Sequence, residues 1–200
     1  MKYKLVKPNL SYKEKYFDFL NEFVTYNSDI NGTGYMDRIL EDKTYEECME
    51  ECLKREELEH SYEIDRAQSI TYILVDEQDD ICGSVNIRFN LRDELIDRGI
   101  THVGYGVRPT KRGNGLAKLM LYEGLKVLDS LDEKICLMDA ADDNPASWKT
   151  IEALDGKLTK KEIDPSDDTL TRWYEIDVKS AIENNKDIYE DMMMDDEEEL

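Results

Sequence analysis

Apolar positions recur along the chain at two periods, and the switch between them marks the elements. Tyr3 to Val6 reads as a short strand. Ser11 with Glu14 three residues later has the form of a capping box, and Tyr16, Phe19, Leu20 and Phe23 then share one face of a first helix. Asn31, Gly32 and Gly34 interrupt the helical period between Asn27 and Tyr35. Thr44 and Glu47 form a second capping box, opening a helix that runs to about Leu58.

The period then changes to two. Ser69 to Val75 is rich in β-branched and aromatic residues. After the polar turn Asp76 to Asp80, the residues Ile81, Gly83, Val85, Ile87 and Phe89 alternate, which predicts an antiparallel hairpin. Asn90 can cap a short helix ended by Gly99, and Thr101 to Val107 follows as a strand. Glycines 104 and 106 inside that strand mark a bulge or a close backbone approach. Ala117, Met120, Leu121, Gly124, Leu125 and Leu128 form a helical stripe. Lys134 to Asp139 is a short apolar strand, Asn144-Pro145 starts a helix that Gly156 ends, and Leu158 to Ile163 and Thr171 to Val178 are the last strands. The expected architecture is α/β (α+β), with a mixed central sheet of about six to seven strands flanked by helices.

Length allows one domain, placed at residues 1–180, since about 100 to 200 residues make a domain. Residues 181–200 read as an acidic, flexible tail; from Glu183 on there are nine acidic residues and a single Lys. The whole chain carries 47 acidic against 26 basic residues, a formal charge of −21. That field repels phosphate backbones and anionic membranes, so neither nucleic acid nor a membrane is an expected partner. The charged N-terminal stretch lacks the apolar core of a signal peptide, which places the protein in the cytoplasm. Cys48, Cys52, Cys82 and Cys136 lack zinc-ribbon spacing and read as free thiols, with no metal expected.

The candidate chemistry lies in Val107-Arg108-Pro109-Thr110-Lys111-Arg112-Gly113-Asn114-Gly115-Leu116-Ala117-Lys118, a strand end turning through two glycines into an amphipathic helix. Unpaired N–H groups and the positive end of the helix dipole suit a phosphate there. A nucleotide P-loop needs Ser or Thr after Gly-Lys, and Gly115 is followed by Leu116. A dinucleotide fingerprint needs a third glycine at 118, which is Lys.

The pattern Arg112-x-x-Gly115-x-Ala117 after this strand, with Asn144-Pro145-Ala146-Ser147 and Ile151 to Gly156 downstream, resembles the acetyl-coenzyme A signature of the GNAT superfamily of N-acetyltransferases. Asn31 to Tyr35, the Ile70 to Phe89 hairpin, His102 to Gly106 and Arg172-Trp173-Tyr174 extend the resemblance, to a bacterial subgroup of mostly unassigned substrate, over about residues 1–178.

The resemblance implies the GNAT fold, with a bulged and splayed strand at an acetyl-CoA cleft, and direct transfer of acetyl to an amine. It places the pyrophosphate on Arg112, Gly113, Asn114, Gly115, Leu116, Ala117 and Lys118, and the pantetheine arm along Tyr105 to Val107 and at Asn144. His102 is the general-base candidate, against a packed histidine with no chemical role; a water chain to Asp139 or Asp143 could serve instead. Many members carry a tyrosine acid where this chain has Ile151, so Ser147 is the substitute acid candidate. Tyr35, Trp173 and Tyr174 fall where the acceptor site is usually built. The −21 charge fits a cationic amine by steering, and small amines and protein or peptide amines stay open. Two other readings are a coenzyme A-binding regulatory module without turnover and a different acyl donor met by Arg108. A homodimer is the expected assembly.

Overall fold

The computed structural model describes residues 1–164 and 168–194. In chain order the elements are β1 (Tyr3–Val6), α1 (Lys13–Thr25), α2 (Tyr45–Lys54), α3 (Leu58–Glu63), β2 (Gln68–Asp76), β3 (Ile81–Phe89), α4 (Asp93–Ile96), β4 (Val103–Val107), α5 (Leu116–Ser130), β5 (Ile135–Ala141), α6 (Pro145–Glu152), β6 (Lys157–Asp164), β7 (Thr169–Asp177) and α7 (Val178–Tyr189). The strands form two antiparallel sheets, in the orders β1-β2-β3-β4 and β5-β7-β6. The seven strands and flanking helices match the expected α/β architecture, but the central sheet expected to be mixed is split into two sheets whose strand pairs are all antiparallel.

The β2–β3 hairpin runs in register from Gln68 opposite Phe89 to Leu74 opposite Gly83, then shifts so that Val75 faces Ile81. The extra residue, Cys82, changes the face on which Ile81 emerges. Ile81 therefore joins Ile73 and Val75 under α1 and α2, with Tyr16, Phe19 and Phe23. Val85, Ile87 and Phe89 join Leu74 on the opposite face, against α5. The simple alternation expected through Ile81 is corrected by this one-residue slip.

Several helix ends differ from the sequence reading. Asn9, not Ser11, starts the first helical segment, accepting from the Ser11 N–H at 3.0 Å; a single tight turn follows, and α1 begins at Lys13. The Thr44 capping box is present, with Thr44 N–H to Glu47 at 2.8 Å and Glu47 N–H to the Thr44 hydroxyl at 3.2 Å. Its helix stops at Lys54, and Leu58 lies in the separate α3. Arg92 rather than Asn90 precedes α4. Asn90 has φ +50° and donates its N–H to Glu133.

The boundary expected at residue 180 falls inside a helix. Asp177 accepts the Ser180 N–H at 2.9 Å to start α7, and Ala181, Asn185 and Tyr189 are buried. Tyr189 packs on Tyr122 of α5 with ring centroids 5.2 Å apart, and the Met194 N–H donates to the Tyr3 carbonyl at 2.7 Å. This cover explains why Leu119 and Tyr122 are buried although they lie off the stripe read from the sequence. The acidic run 195–200 lies outside the described residues. Among the described residues no helix is long and apolar enough to cross a membrane, and no group of three metal-ligating side chains forms.

The two sheets part between β4 and β5. At one end the His102 N–H donates to the Leu137 carbonyl, and the Leu137 N–H donates to Nδ1 of the His102 ring, each at 2.9 Å. Beyond this contact β4 keeps β3 on one edge only. The bulge expected at Gly104 or Gly106 is absent, because β4 pairs with β3 residue for residue from Val103 to Val107. The glycines serve the other role read from the sequence. A Cβ on Gly106 would collide with the Asn31 carbonyl, and one on Gly32 would lie 2.6 Å from Cα of Tyr105. The 31–34 loop rests directly on the strand.

Candidate active site

The turn from β4 into α5 is held from behind. Glu22 of α1 accepts from Arg108 Nε at 2.6 Å and from the Thr110 N–H at 2.7 Å. Lys111 reaches Asp76 at 3.2 Å, and Asp76 also takes the N–H groups of Gln78 and Asp80. Burial works against the charge of Asp76, but these donors outweigh it and hold the carboxyl below its ordinary value. The Asn114 side chain ties the turn to the Lys111 carbonyl at 3.0 Å.

The front of the turn is open. Gly113 and Gly115 have φ of +80° and +78°, in the left-handed region, and a Cβ at either would meet nothing within 4 Å. Gly115 precedes α5 without a side-chain cap, whereas Thr44, Asn144 and Asp177 cap α2, α6 and α7. The first N–H groups of α5 therefore lack partners and point, with the dipole, at whatever anion enters.

A cleft of about 830 Å³ runs from Gly113–Lys118 between β4 and β5. Arg108 N–H donates to Cys82 and His102 C=O accepts from Arg88, so even-numbered β4 residues bond to β3. By antiparallel alternation, Tyr105 and Val107 turn their N–H and C=O groups to the free edge. The Tyr105 hydroxyl lies 3.3 Å from Oγ of Ser147 on α6, and burial pushes its pKa up. Asn144 accepts the Ser147 N–H at 3.2 Å.

At the far end Asp139 lines the cleft on β5 and accepts from the Thr101 hydroxyl at 2.6 Å. Burial raises its pKa, against the Thr101 hydrogen bond and the Arg88 charge. Arg88 donates to the Thr101 carbonyl and, at 3.2 Å, to Oδ1 of Asn86. Burial lowers its pKa, yet a guanidinium stays charged at neutral pH.

The structure gathers most of the expected residues. Tyr105, Val107, Arg112, Gly113, Gly115, Leu116, Ala117, Lys118, Asn144 and Ser147 line the cleft. Asn114 does not, and acts on the turn itself. The Arg112 side chain folds back to Ser28 at 2.7 Å.

His102 is placed elsewhere. It is 4% exposed, outside the cleft lining, with Nδ1 accepting from Leu137 and Nε2 3.8 Å from Glu133. Burial lowers its pKa and leaves the ring neutral as a structural acceptor, so the general-base reading of His102 is withdrawn. Tyr174 pairs with Met138 on the core face and donates to Glu152 at 2.9 Å, away from any acceptor. Trp173 pairs with Asp139, on the same face as that carboxylate. Its indole N–H is buried without a partner among the described residues. Tyr35 lies under the Arg55 guanidinium, 4.6 Å from ring centroid to carbon. Thr101 and Arg88 were missed by sequence reasoning. A charged residue in an otherwise buried hairpin was the available signal for Arg88.

A family model described as "Acetyltransferase (GNAT) family" matches residues 36–155. No curated protein matches the chain. Among solved structures, ribosomal-protein-S5-alanine acetyltransferase from Vibrio fischeri aligns with TM-score 0.62 at 13% identity, over 88% of this chain and 93% of that one. Spermidine N-acetyltransferase from Vibrio cholerae, in complex with CoA and spermine, aligns with TM-score 0.59 at 13% identity, over 90% and 98%. These structural matches share the fold. The family match, which spans more than half of the sequence and takes in the whole glycine turn, shows that the chain belongs to the acetyltransferase (GNAT) family.

Proposed function

We propose that the protein transfers the acetyl group of acetyl-CoA directly to a primary amine. The observation that carries this reading is the continuous cleft, from an uncapped, Cβ-free helix start at Gly113–Lys118 to a carboxylate at Asp139. The residues present fit the coenzyme. The α5 N–H groups would hold its diphosphate, the free edge of β4 at Tyr105 and Val107 would pair with its amide-bearing arm, and Asn144 stands beside that arm.

Acetyl-CoA supplies the activated acyl group. Asp139, directly or through a water, takes a proton from the ammonium form of the acceptor so that its lone pair can attack the thioester carbon. Burial raises the carboxyl's pKa and so makes it a better base. An outward N–H of β4 near Val107 stabilises the carbonyl oxygen as it gains charge. As the C–S bond breaks, the Tyr105 hydroxyl, linked to Ser147, gives the departing sulfur its proton and regains one from water, while the attacking nitrogen sheds its second proton to water. The products are an N-acetyl amide and the free thiol. Tyr105 thus serves from the strand the position that Ile151, which is buried in the core, leaves without an acid.

The test is a thermal shift with acetyl-CoA and a thiol-release assay over an amine panel. Stabilisation with amine-dependent release is expected. Stabilisation without release over the whole panel overturns transfer in favour of a coenzyme-binding module, and no stabilisation overturns the coenzyme site. A homodimer remains part of the proposal, and light scattering reads it.

A further inference from the structure

A second cavity, of about 290 Å³, opens beside the cleft and shares Arg88 and Asn31 with it. Its walls carry three guanidinium side chains, Arg55, Arg66 and Arg88, against one carboxylate, Asp37. Arg55 is satisfied, since its Nε is 2.8 Å from Glu51. Arg66 forms no ion pair among the described residues, and the neighbouring Asp65 is already taken by Arg98 at 2.8 Å and Arg92 at 3.2 Å. Arg88 likewise has no carboxylate within ion-pair distance among the described residues; Asp139 acts on it only from farther off. Two of its nitrogens are held by Asn86 and the Thr101 carbonyl. The third, Nη2, lies against Gly104, where a Cβ would come within 2.9 Å. Asn86 is itself fixed by its amide, which donates to the Thr71 hydroxyl at 3.1 Å.

In a chain with 47 acidic residues, two cationic heads without carboxylates in one small cavity run against the charge of the whole. Holding the desolvated Arg88 guanidinium without an ion partner is unfavourable unless a ligand completes it, and the exposed Arg66 adds a second unpaired positive charge beside it. The planar guanidinium fork suits a carboxylate. Resting on the transfer reading above, we infer that the acceptor is a small amine bearing a carboxylate, of the amino-acid class. Its amine faces Asp139 in the cleft, and its carboxylate enters the second cavity onto Arg88 and Arg66. Arg88, which lines both spaces, joins the second cavity to the cleft that holds Asp139. This local charge opposes the cationic acceptor that the net charge alone suggests.

Calorimetry on the CoA-loaded protein tests this without turnover. The probes are matched sets such as phenylalanine, phenylalaninamide and phenethylamine, with spermidine and an acidic N-terminal peptide beside them. The carboxylated member of at least one set is expected to bind at least tenfold more tightly than its two partners. Arg88→Lys, which keeps charge but loses the fork, should remove about tenfold of that preference. The exposed Arg66→Ala, which carries little folding risk, should weaken it several-fold with coenzyme affinity unchanged. Equal or tighter binding of the amides, the decarboxylated amines, spermidine or the peptide overturns the inference, as does no carboxylated amine binding at all. Arginine-dependent carboxylate binding without thiol release keeps the carboxylate site on Arg88 and Arg66 but overturns the transfer reading, and with it the acceptor role of that ligand.

Discussion

The two ends of the cleft are built from different materials. The coenzyme end, Gly113–Lys118, is made of backbone: unpaired N–H groups, two left-handed glycines and no side-chain cap. The acceptor end is made of side chains brought from β3, the segment just before β4, and β5, with Arg88, Thr101 and Asp139 in one hydrogen-bonded and electrostatic group. A backbone site tolerates changes of side chain but not of local geometry. A side-chain site does the reverse. Substitutions at the two ends should therefore separate binding of coenzyme from turnover of acceptor.

The largest separation is expected at Asp139. Asp139→Asn should lower kcat/KM for the amine by about 10²- to 10⁴-fold, the usual weight of a general base, while acetyl-CoA affinity stays constant. Because burial raises its pKa, the wild-type kcat/KM should climb with pH through a limb above the ordinary carboxyl value of 3.8, and the variant should lack that limb. Stability has the opposite sign. A raised folded pKa means the contribution is present below the unfolded value and is lost as pH rises through the folded one. Asp139→Asn should therefore raise Tm at pH 7, with the gain vanishing near pH 3. Loss of acetyl-CoA binding in this variant would break the comparison.

The coenzyme end is probed next. Gly115→Val forces a β-branched residue to φ +78°, at a cost of about 1–2 kcal/mol, or roughly five- to thirty-fold in affinity if the turn relaxes away from its binding geometry. The expected result is a weaker Kd for acetyl-CoA by calorimetry with unchanged acceptor preference. An unchanged Kd would show that the cradle does not hold the coenzyme. Tyr105→Phe should have a smaller effect, about tenfold in kcat, because a thiol with a pKa near 8.5 leaves tolerably without help. A much larger loss would make sulfur departure limiting.

The same division decided what could be read in advance. The glycine turn was legible because phosphate binding by backbone needs glycines at set spacings beside a helix start, and spacing is what a sequence displays. The hairpin, the Thr44 capping box and the α5 stripe were legible for the same local reason. The bulge that carries Ile81 to the other core was not, since a slip at Leu74/Val75 depends on which residues pack on each face. Nor was α7, because its apolar contacts Ala181 and Tyr189 are sparse among acidic positions and gain meaning only against Tyr122. Arg88 and Asp139 lie 51 positions apart, and nothing local links them.

His102 gives the smallest expected effect on turnover and the sharpest check on that lesson. The sequence places it on the cleft strand with a favourable ordinary pKa, so it reads as the base; the fold turns its ring into the seam where β4 and β5 still touch. Nδ1 there replaces a backbone acceptor for the Leu137 N–H. His102→Ala would leave that N–H buried and unpaired, at a cost of about 1–3 kcal/mol before the loss of packing. Tm should fall clearly, while kcat for the surviving folded enzyme and the Asp139-dependent pH limb should stay within about twofold, since no proton in the reaction passes through the ring. His102→Asn, whose short side chain can still offer an oxygen to the seam, should recover part of the stability. A fall in kcat of two orders of magnitude with the fold intact would return His102 to the chemistry and move the base away from Asp139. Stability loss alone would make the seam, where the cleft stops opening, the purpose of this residue.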